Sequence, residues 1–318
     1  MMIAATIEYG KVRPSEHPTP QPGTGEVLVR VRAAGLNGAD IMQVGGNYPA
    51  PPGVPADIPG LELAGEVAEC GPGATRFELG DRVMGIVGGG GQAEFAVVNE
   101  RTLMAVPANL DWPAAGGVSE VFTTAHDAIF SQCGLLAGER LLVHGGAGGV
   151  GTAAIGLAVA AGARVYATVR SAELREAVAG LGATVSAPED FLEHGPYDVI
   201  LELVGAPNLA DNLDALAPEG RIVVIGVGAG AQTQIDLRVL MGKRGRICGS
   251  TLRRRSLEDK ALTARRMERS VLPLLAAGSV TVPVAATFPL AEVAAAYERF
   301  TTGAKFGKIV LVMEPPRS

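Results

Sequence analysis

The chain has 318 residues, 47% of them hydrophobic, which is enough apolar material for one large or two medium domains. Its 27 basic and 33 acidic residues give a formal charge of −6 with no basic stripe, which argues against nucleic acid as a main partner. Cys70, Cys133 and Cys248 are widely spaced and form no CxxC pair, so a disulfide framework is disfavoured and a reducing, cytoplasmic setting is expected.

Neither a signal peptide nor a membrane-spanning run is visible. Residues 1 to about 115 read as β-rich and turn-rich, with strands expected over 26–33, 60–69, 81–87 and 92–98. A proline- and glycine-rich loop, Gly45 to Pro59, separates the first two, and a loop of that length in a compact domain is more often functional than idle. From about 116 the pattern changes to strands alternating with helices. Strands are expected at 141–144, 164–168, 198–203, 221–225 and 245–249, and Gly162, Gly182 and Gly220 sit where helix C-caps belong. Such alternation predicts a parallel, doubly wound sheet. Ser256 to Ala277 reads as one long charged helix, 280–284 as a short strand, 290–300 as a helix and 308–312 as a final strand. The tail is therefore expected to return to the first domain, giving 1–117 with 282–318 as one domain and 118–281 as the other.

The stretch Leu141-Leu142-Val143-His144-Gly145-Gly146-Ala147-Gly148-Gly149-Val150-Gly151 runs from a buried strand into a glycine turn and then into a small-residue helix. Gly146, Gly148 and Gly151 have G-x-G-x-x-G spacing. Such glycines permit a tight turn, close approach to a pyrophosphate and close helix–strand packing, and the helix N-terminus attracts the phosphates. At the end of the next strand, where an NAD site places Asp or Glu, the chain has Arg170-Ser171. Arginine can fork onto a 2′-phosphate, so NADPH is the expected cofactor.

The chain resembles the medium-chain dehydrogenase/reductase superfamily. Within it, the resemblance is to the zinc-free quinone oxidoreductases of the zeta-crystallin type, in particular the apoptosis-associated branch. It rests on Gly35-Leu36-Asn37-Gly38-Ala39-Asp40-Ile41-Met42-Gln43, Gly46-Asn47-Tyr48, Gly60-Leu61-Glu62, Gly89-Gly90-Gly91-Gln92-Ala93 and His144 to Gly151. It continues through Gly249-Ser250-Thr251-Leu252-Arg253 and Gly307-Lys308-Ile309-Val310-Leu311. The resemblance implies an α/β chain, with a GroES-like β-rich catalytic domain beside a Rossmann domain and the site in the cleft between them. It also implies a homodimer or homotetramer, with an outer strand near 245–251 pairing across the dimer. Cofactor contacts are implied at Gly146, Ala147, Gly148, Gly149, Val150, Gly151, Arg170, Ser171, Gly226, Leu252 and Lys308. Arg175 is a further candidate, and Lys308 reads almost equally as a surface charge.

Zinc-dependent members of the superfamily hold catalytic metal with Cys and His, where this chain has Asn37 and Leu61. No four-cysteine lobe is present to hold a structural zinc. Without a Lewis acid the acceptor must be intrinsically electrophilic: a quinone, or an alkene conjugated to a carbonyl. Asn37, Tyr48 and Thr124 match positions that line the nicotinamide and acceptor pocket, and an amide or phenol can donate to a carbonyl that gains charge. The structural alternatives are a turn asparagine satisfied by its own backbone, an idle loop tyrosine and a helix threonine bonded to its own turn. Asp40 reads as a cap or loop hydrogen-bonding residue, Glu62 as structural, and His144 as packed. Arg253-Arg254-Arg255 reads as a solvated or anion-facing turn. The expected activity is NADPH:quinone oxidoreduction. Reduction of an enal or enone and a non-catalytic NADPH-binding role are the alternatives, and no α-carbon proton donor is visible for the former.

Overall fold

A computed structural model describes residues 1–313. The chain opens with a hairpin of β1 (Met2–Glu8) and β2 (Lys11–His17), an element not anticipated from sequence. Its two-residue turn places Tyr9 and Gly10 at φ of 51° and 72°, the left-handed pair that matches strand twist in a tight hairpin. Then come β3 (Glu26–Gly35), the short helix α1 (Gly38–Val44), β4 (Glu62–Cys70), β5 (Arg82–Ile86), β6 (Phe95–Asn99) and β7 (Leu103–Ala105). Two helices follow, α2 (Trp112–Gly116) and α3 (Ser119–His126), the second continuing into a wider turn over Asp127–Gln132.

The alternating half contains β8 (Arg140–His144), α4 (Gly149–Ala160), β9 (Arg164–Thr168), α5 (Arg175–Ala179), β10 (Thr184–Ser186) and β11 (Tyr197–Glu202). It continues with α6 (Leu209–Asp214), β12 (Leu216–Val224), α7 (Leu237–Lys243), β13 (Arg246–Gly249), α8 (Leu257–Ser270) and α9 (Leu272–Ala276). The chain closes with β14 (Val284–Pro289), α10 (Val293–Thr301) and β15 (Lys308–Val312).

The strands form two large sheets. One is six-stranded and parallel, in the order β10-β9-β8-β11-β12-β13. The order reverses direction after β8, and in such sheets the crevice beyond the carboxyl ends of the strands at that reversal binds ligands. The other is seven-stranded, in the order β14-β15-β3-β4-β5-β7 with β6 also on β3. Thus strands from both ends of the chain share one sheet, and β15 pairs antiparallel with β3 through Val310 opposite Gly35. The largest core packs α3, α4 and α8 on one face of the parallel sheet around Phe122, Ile155 and Met267, and a second core lies on its other face around Tyr197 and Leu216.

Three expectations need correction. The strand expected over 280–284 forms instead as β14, shifted toward the C-terminus. Val280 turns into the core of the parallel sheet, and Pro283 has no N–H for a ladder and offers only its carbonyl, to the Lys308 N–H at 2.8 Å. Gly220 caps no helix: α6 ends at Asp214, and Gly220 lies within β12 after Glu219 has taken a φ of 64°. The long helix expected over 256–277 starts where foreseen, with the Ser256 hydroxyl accepting from the Asp259 N–H, but breaks at Val271 because Pro273 begins a new helix.

The glycine turn is set by backbone crowding. Gly145, rather than Gly146, takes the left-handed conformation at φ 72°. A Cβ on Gly151 would lie 2.5 Å from the Gly145 carbonyl oxygen and 2.8 Å from the Gly146 Cα, and backbone atoms cannot swing aside. Gly151→Ala should therefore lower unfolding free energy by about 1–3 kcal/mol, the usual cost of overpacking, measured by urea denaturation. Unchanged stability would mean that helix and strand can part at no cost.

Candidate active site

The two sheets meet at the start of α4. Gly307 N–H donates to the Ala147 carbonyl at 2.9 Å, and Gly148 and Gly307 form an isolated parallel bridge. A Cβ on Gly149 would come within 2.8 Å of both the Lys308 Cδ and the Val121 Cγ1. The glycine turn therefore admits β15 as well as a ligand. Beside it opens a cavity of about 600 Å³, within the size range of small-molecule and cofactor sites. Its wall includes Gly148, Gly149, Val150, Gly151, Gly226, Leu252 and Lys308; Gly146 and Ala147, in the same turn, are not on the wall. The N-cap of α4 is Gly148, so no side chain caps the N–H groups of the first turn. A helix start of this kind, opening on a cavity, suits a pyrophosphate. The residues present thus fit a bound dinucleotide.

Arg170 and Ser171 follow β9, outside the cavity wall, and Arg170 is exposed. A Cβ on Gly303 would sit 3.9 Å from the Arg170 Nη2, so its guanidinium reaches the turn after α10. Arg175 is engaged instead with its own chain, donating from Nε to the Val169 carbonyl at 3.1 Å. Lys305, on the cavity wall, was not anticipated. It lies 4.0 Å from the centroid of Phe300, and burial, Lys308 and Arg299 all hold its ammonium below the usual lysine range.

The polar centre of the cleft is a buried cluster. Lys308 is 3% exposed and its Nζ reaches Glu62 Oε1 at 2.7 Å, Asn37 Oδ1 at 2.6 Å and the Leu36 carbonyl at 2.8 Å. It is thus an interior cation on the cavity wall, and the surface-charge alternative is set aside. Asn37 donates from Nδ2 to Glu62 Oε1 at 3.0 Å and to the Gly35 carbonyl at 3.3 Å. Lys308 fixes the direction of the amide, since an ammonium can only donate. Asn37 lies on the wall as foreseen, but both amide hydrogens point inward, so the foreseen donation to an acceptor carbonyl is not available to it. Asp40 caps α1 by accepting the Asn37 N–H at 2.8 Å, and it also accepts the Gly60 N–H at 3.1 Å. Burial raises its carboxyl to about 7 against the opposing pull of those hydrogen bonds and Lys308. Behind it, Tyr297 donates to Gln92, whose amide reaches Asp40 at 3.4 Å. The close fit requires Gly35, where a Cβ would meet Glu62 Oε1 at 2.4 Å.

Tyr48 and Thr124 also lie on the wall. The Tyr48 hydroxyl is 3.4 Å from Thr251 Oγ1, and Arg253 holds its loop. Arg253 is 4% exposed. It donates to the Gly88 carbonyl at 2.7 Å, the Tyr48 carbonyl at 2.9 Å and Gln43 Oε1 at 2.5 Å, with its guanidinium 4.9 Å from the Tyr48 ring centroid. Arg255 pairs with buried Asp127 at 2.5 Å, and only Arg254 of the triplet is exposed. The triplet is therefore a structural clamp, not a solvated turn. Thr124 donates to Glu120 Oε1 at 3.2 Å, and the Glu120 N–H donates to Glu62 Oε2 at 2.8 Å. Glu120 is the one acid of the cluster that sequence did not single out. Burial first, then the Glu62 charge, raises it to about 7 despite Lys308 and Thr124. His144 is packed away from the cavity wall, between Thr168 at 3.0 Å and Asn212 at 2.7 Å, and burial lowers it.

Removing the ammonium should strand the Glu62 carboxylate. Lys308→Met should cost about 3–5 kcal/mol of unfolding free energy, the range for breaking a buried pair from one side. Adding Glu62→Gln should restore at least half of it. Additive losses in this double-mutant cycle, read by denaturant unfolding, would show that the two do not act as a pair.

Two family descriptions match the chain: Alcohol dehydrogenase GroES-like domain over residues 23–108, and Zinc-binding dehydrogenase over residues 179–311. A Quinone oxidoreductase of Pseudomonas aeruginosa is 31% identical over 317 residues, covering 96% of this chain and 95% of that protein. Among solved structures, an alcohol dehydrogenase superfamily protein from Novosphingobium aromaticivorans is 33% identical with a TM-score of 0.88, covering 99% of this chain and 100% of that one. A mycobacterial protein complexed with NADPH is 27% identical with a TM-score of 0.88, covering 98% of this chain and 100% of that one. Full-length likeness of sequence and fold, joined to a dinucleotide-type glycine turn in the cleft between two sheets, assigns the chain to the quinone oxidoreductases of the medium-chain dehydrogenase/reductase superfamily.

Proposed function

We propose that the protein is an NADPH-dependent quinone oxidoreductase that works without zinc. The observation that carries this reading is the Lys308 ammonium, lodged between Asn37 and Glu62 beside the glycine turn. A cation already neutralises the carboxylate at that place, and Leu61 next to it has no metal-binding atom. The bound NADPH would supply a hydride. The uncapped start of α4 orients its pyrophosphate, and Arg170 with Ser171 meets the 2′-phosphate.

The chain's own contribution to the chemistry is placement of the acceptor. With the Asn37 hydrogens engaged, Tyr48 is the group free to donate to the quinone carbonyl as its negative charge grows. Thr124 and Asn37 complete the wall, Asn37 as an anchor held by Lys308. The domain division proposed is 1–117 with 282–318 against 118–281, supported by the sharing of one sheet by β3 and β15. The three cysteines are unpaired, which supports a cytoplasmic protein; no helix among the described residues is long and apolar enough to cross a membrane.

NADPH oxidation should proceed with a benzoquinone or a naphthoquinone. Turnover with an enal alone would favour alkene reduction, and NADPH binding with no turnover would favour a non-catalytic role. Arg170→Ala should weaken NADPH by about 1.5–3 kcal/mol and leave NADH affinity unchanged, by calorimetry. Equal losses would remove Arg170 from phosphate recognition. Tyr48→Phe should lower kcat/KM for quinones about tenfold, near 1.4 kcal/mol, with NADPH affinity intact. A wild-type value would place the acceptor elsewhere in the cleft.

The assembly proposed is a homodimer or larger. β13 is an edge of the parallel sheet, and Ile247 and Cys248 on it are only partly buried. Light scattering at micromolar concentration should give at least twice the chain mass; a monomer would refute the pairing.

A further inference from the structure

Reducing a quinone by hydride leaves an oxyanion, and the proton that neutralises it must come from somewhere in the cleft. We propose that Glu120 donates that proton, with Thr124 holding its carboxyl in place, so that the protein releases the fully reduced hydroquinone. This rests on the quinone reductase reading above. The balance is simple. A hydride carries two electrons to the quinone, the carboxyl O–H bond of Glu120 breaks, and its proton joins the oxyanion. The O–H electron pair stays on Glu120, which regains a proton from water entering the cleft.

The geometry separates Glu120 from the neighbouring acids. Asp40 is fully buried, is not on the cavity wall, and accepts N–H groups on both oxygens. Glu62 is also fully buried, and its oxygens serve Lys308, Asn37 and the Glu120 N–H. Glu120 lies on the wall with Tyr48, Asn37 and Gly149, and only one of its oxygens has a partner among the described residues, Thr124. Among the described residues the buried unpartnered side-chain atoms are Ser119 Oγ, Arg140 Nε and Arg265 Nε, so the free oxygen of Glu120 is not sealed in protein.

Burial is the main push that raises the Glu120 carboxyl to about 7; Glu62 from β4 and Asp40 from α1 add to it, and Lys308 from β15 and the Thr124 hydroxyl oppose it. A general acid works best with its pKa near the working pH. Asp40 titrates in the same range, so the assignment needs a variant and not a pH profile alone.

Single-turnover mixing of NADPH-loaded protein with a benzoquinone isolates the chemical step. In the wild type the rate should be flat below pH 7 and fall toward tenfold per pH unit above it. Glu120→Gln should be slower by about 100-fold at pH 6, the low end for losing a general acid, and should lose the slope. Glu120→Asp should recover part of the rate and keep the slope. NADPH affinity should stay within about twofold in both, on the same handling of the cofactor. Infrared difference spectra of the protein without NADPH should show protonated-carboxyl absorption that titrates near pH 7, and Glu120→Gln should lose the Glu120 share of it and keep that of Asp40. A Glu120→Gln protein with the wild-type rate and slope, or an infrared band that survives the substitution whole, would overturn the proposal while leaving the quinone reductase reading intact. A wild type that reduces no quinone would overturn both.

Discussion

The cleft depends on one ammonium. Lys308 Nζ has three partners, all from the chain segment 36–62, and it is almost wholly buried. A lone buried cation is costly, so the position holds only because a full carboxylate and two further oxygens surround it. The consequences spread outward. Glu62 is fixed by the pair and in turn fixes the N-terminus of α3 through the Glu120 N–H. Asn37 is fixed by the same ammonium, and its N–H closes the cap on α1. Lys308 also starts β15, whose preceding glycine bonds to the cofactor turn. A single ion pair therefore sets the register between the glycine turn, α3 and the cavity wall.

The same pairing sorts the acids. Three carboxyls face one ammonium, and one carboxylate suffices to balance it. Glu62 is at hydrogen-bond distance and pairs with it. Asp40 and Glu120 are farther away and desolvated, and both are raised to about 7. Like charges in one low-dielectric site cannot all ionise together. Among the described residues Asp40 and Glu120 have no ion-pair partner, so burial dominates both.

Sequence made the periodic and backbone-limited features legible. The glycine turn was visible because strand, glycine spacing and small-residue helix must occur together. The parallel strands were visible as short apolar runs between glycines. Lys308 was visible as a basic residue near the cofactor, but not as an interior one, because its partners lie at the other end of the chain. Glu120 drew no reading from sequence, because only folding brings β4 and β15 against the first turn of α3. The arginine triplet misled for the opposite reason. Arg253 and Arg255 are drawn inward by carbonyls and by Asp127 from distant segments, which composition cannot reveal. The β1–β2 hairpin was missed since its pairing partner strand, Lys11–His17, is polar and contains Pro14.

The Tyr48 loop lines the same cavity as Asn37 but is held in a different way. This loop has no regular secondary structure between Gly46 and Leu61. It is held instead by Arg253, which comes from the segment after β13 in the parallel sheet's half of the chain and bonds to Tyr48, Gly88 and Gln43 in the other half. Tyr48 itself reaches toward Thr251 on that segment. Tyr48 is thus placed by contacts that cross the cleft. Two kinds of contact build the wall: Arg253 holds the Tyr48 loop from across the cleft, whereas Lys308, Asn37 and Glu62 hold one another from segments of the seven-stranded sheet's half alone.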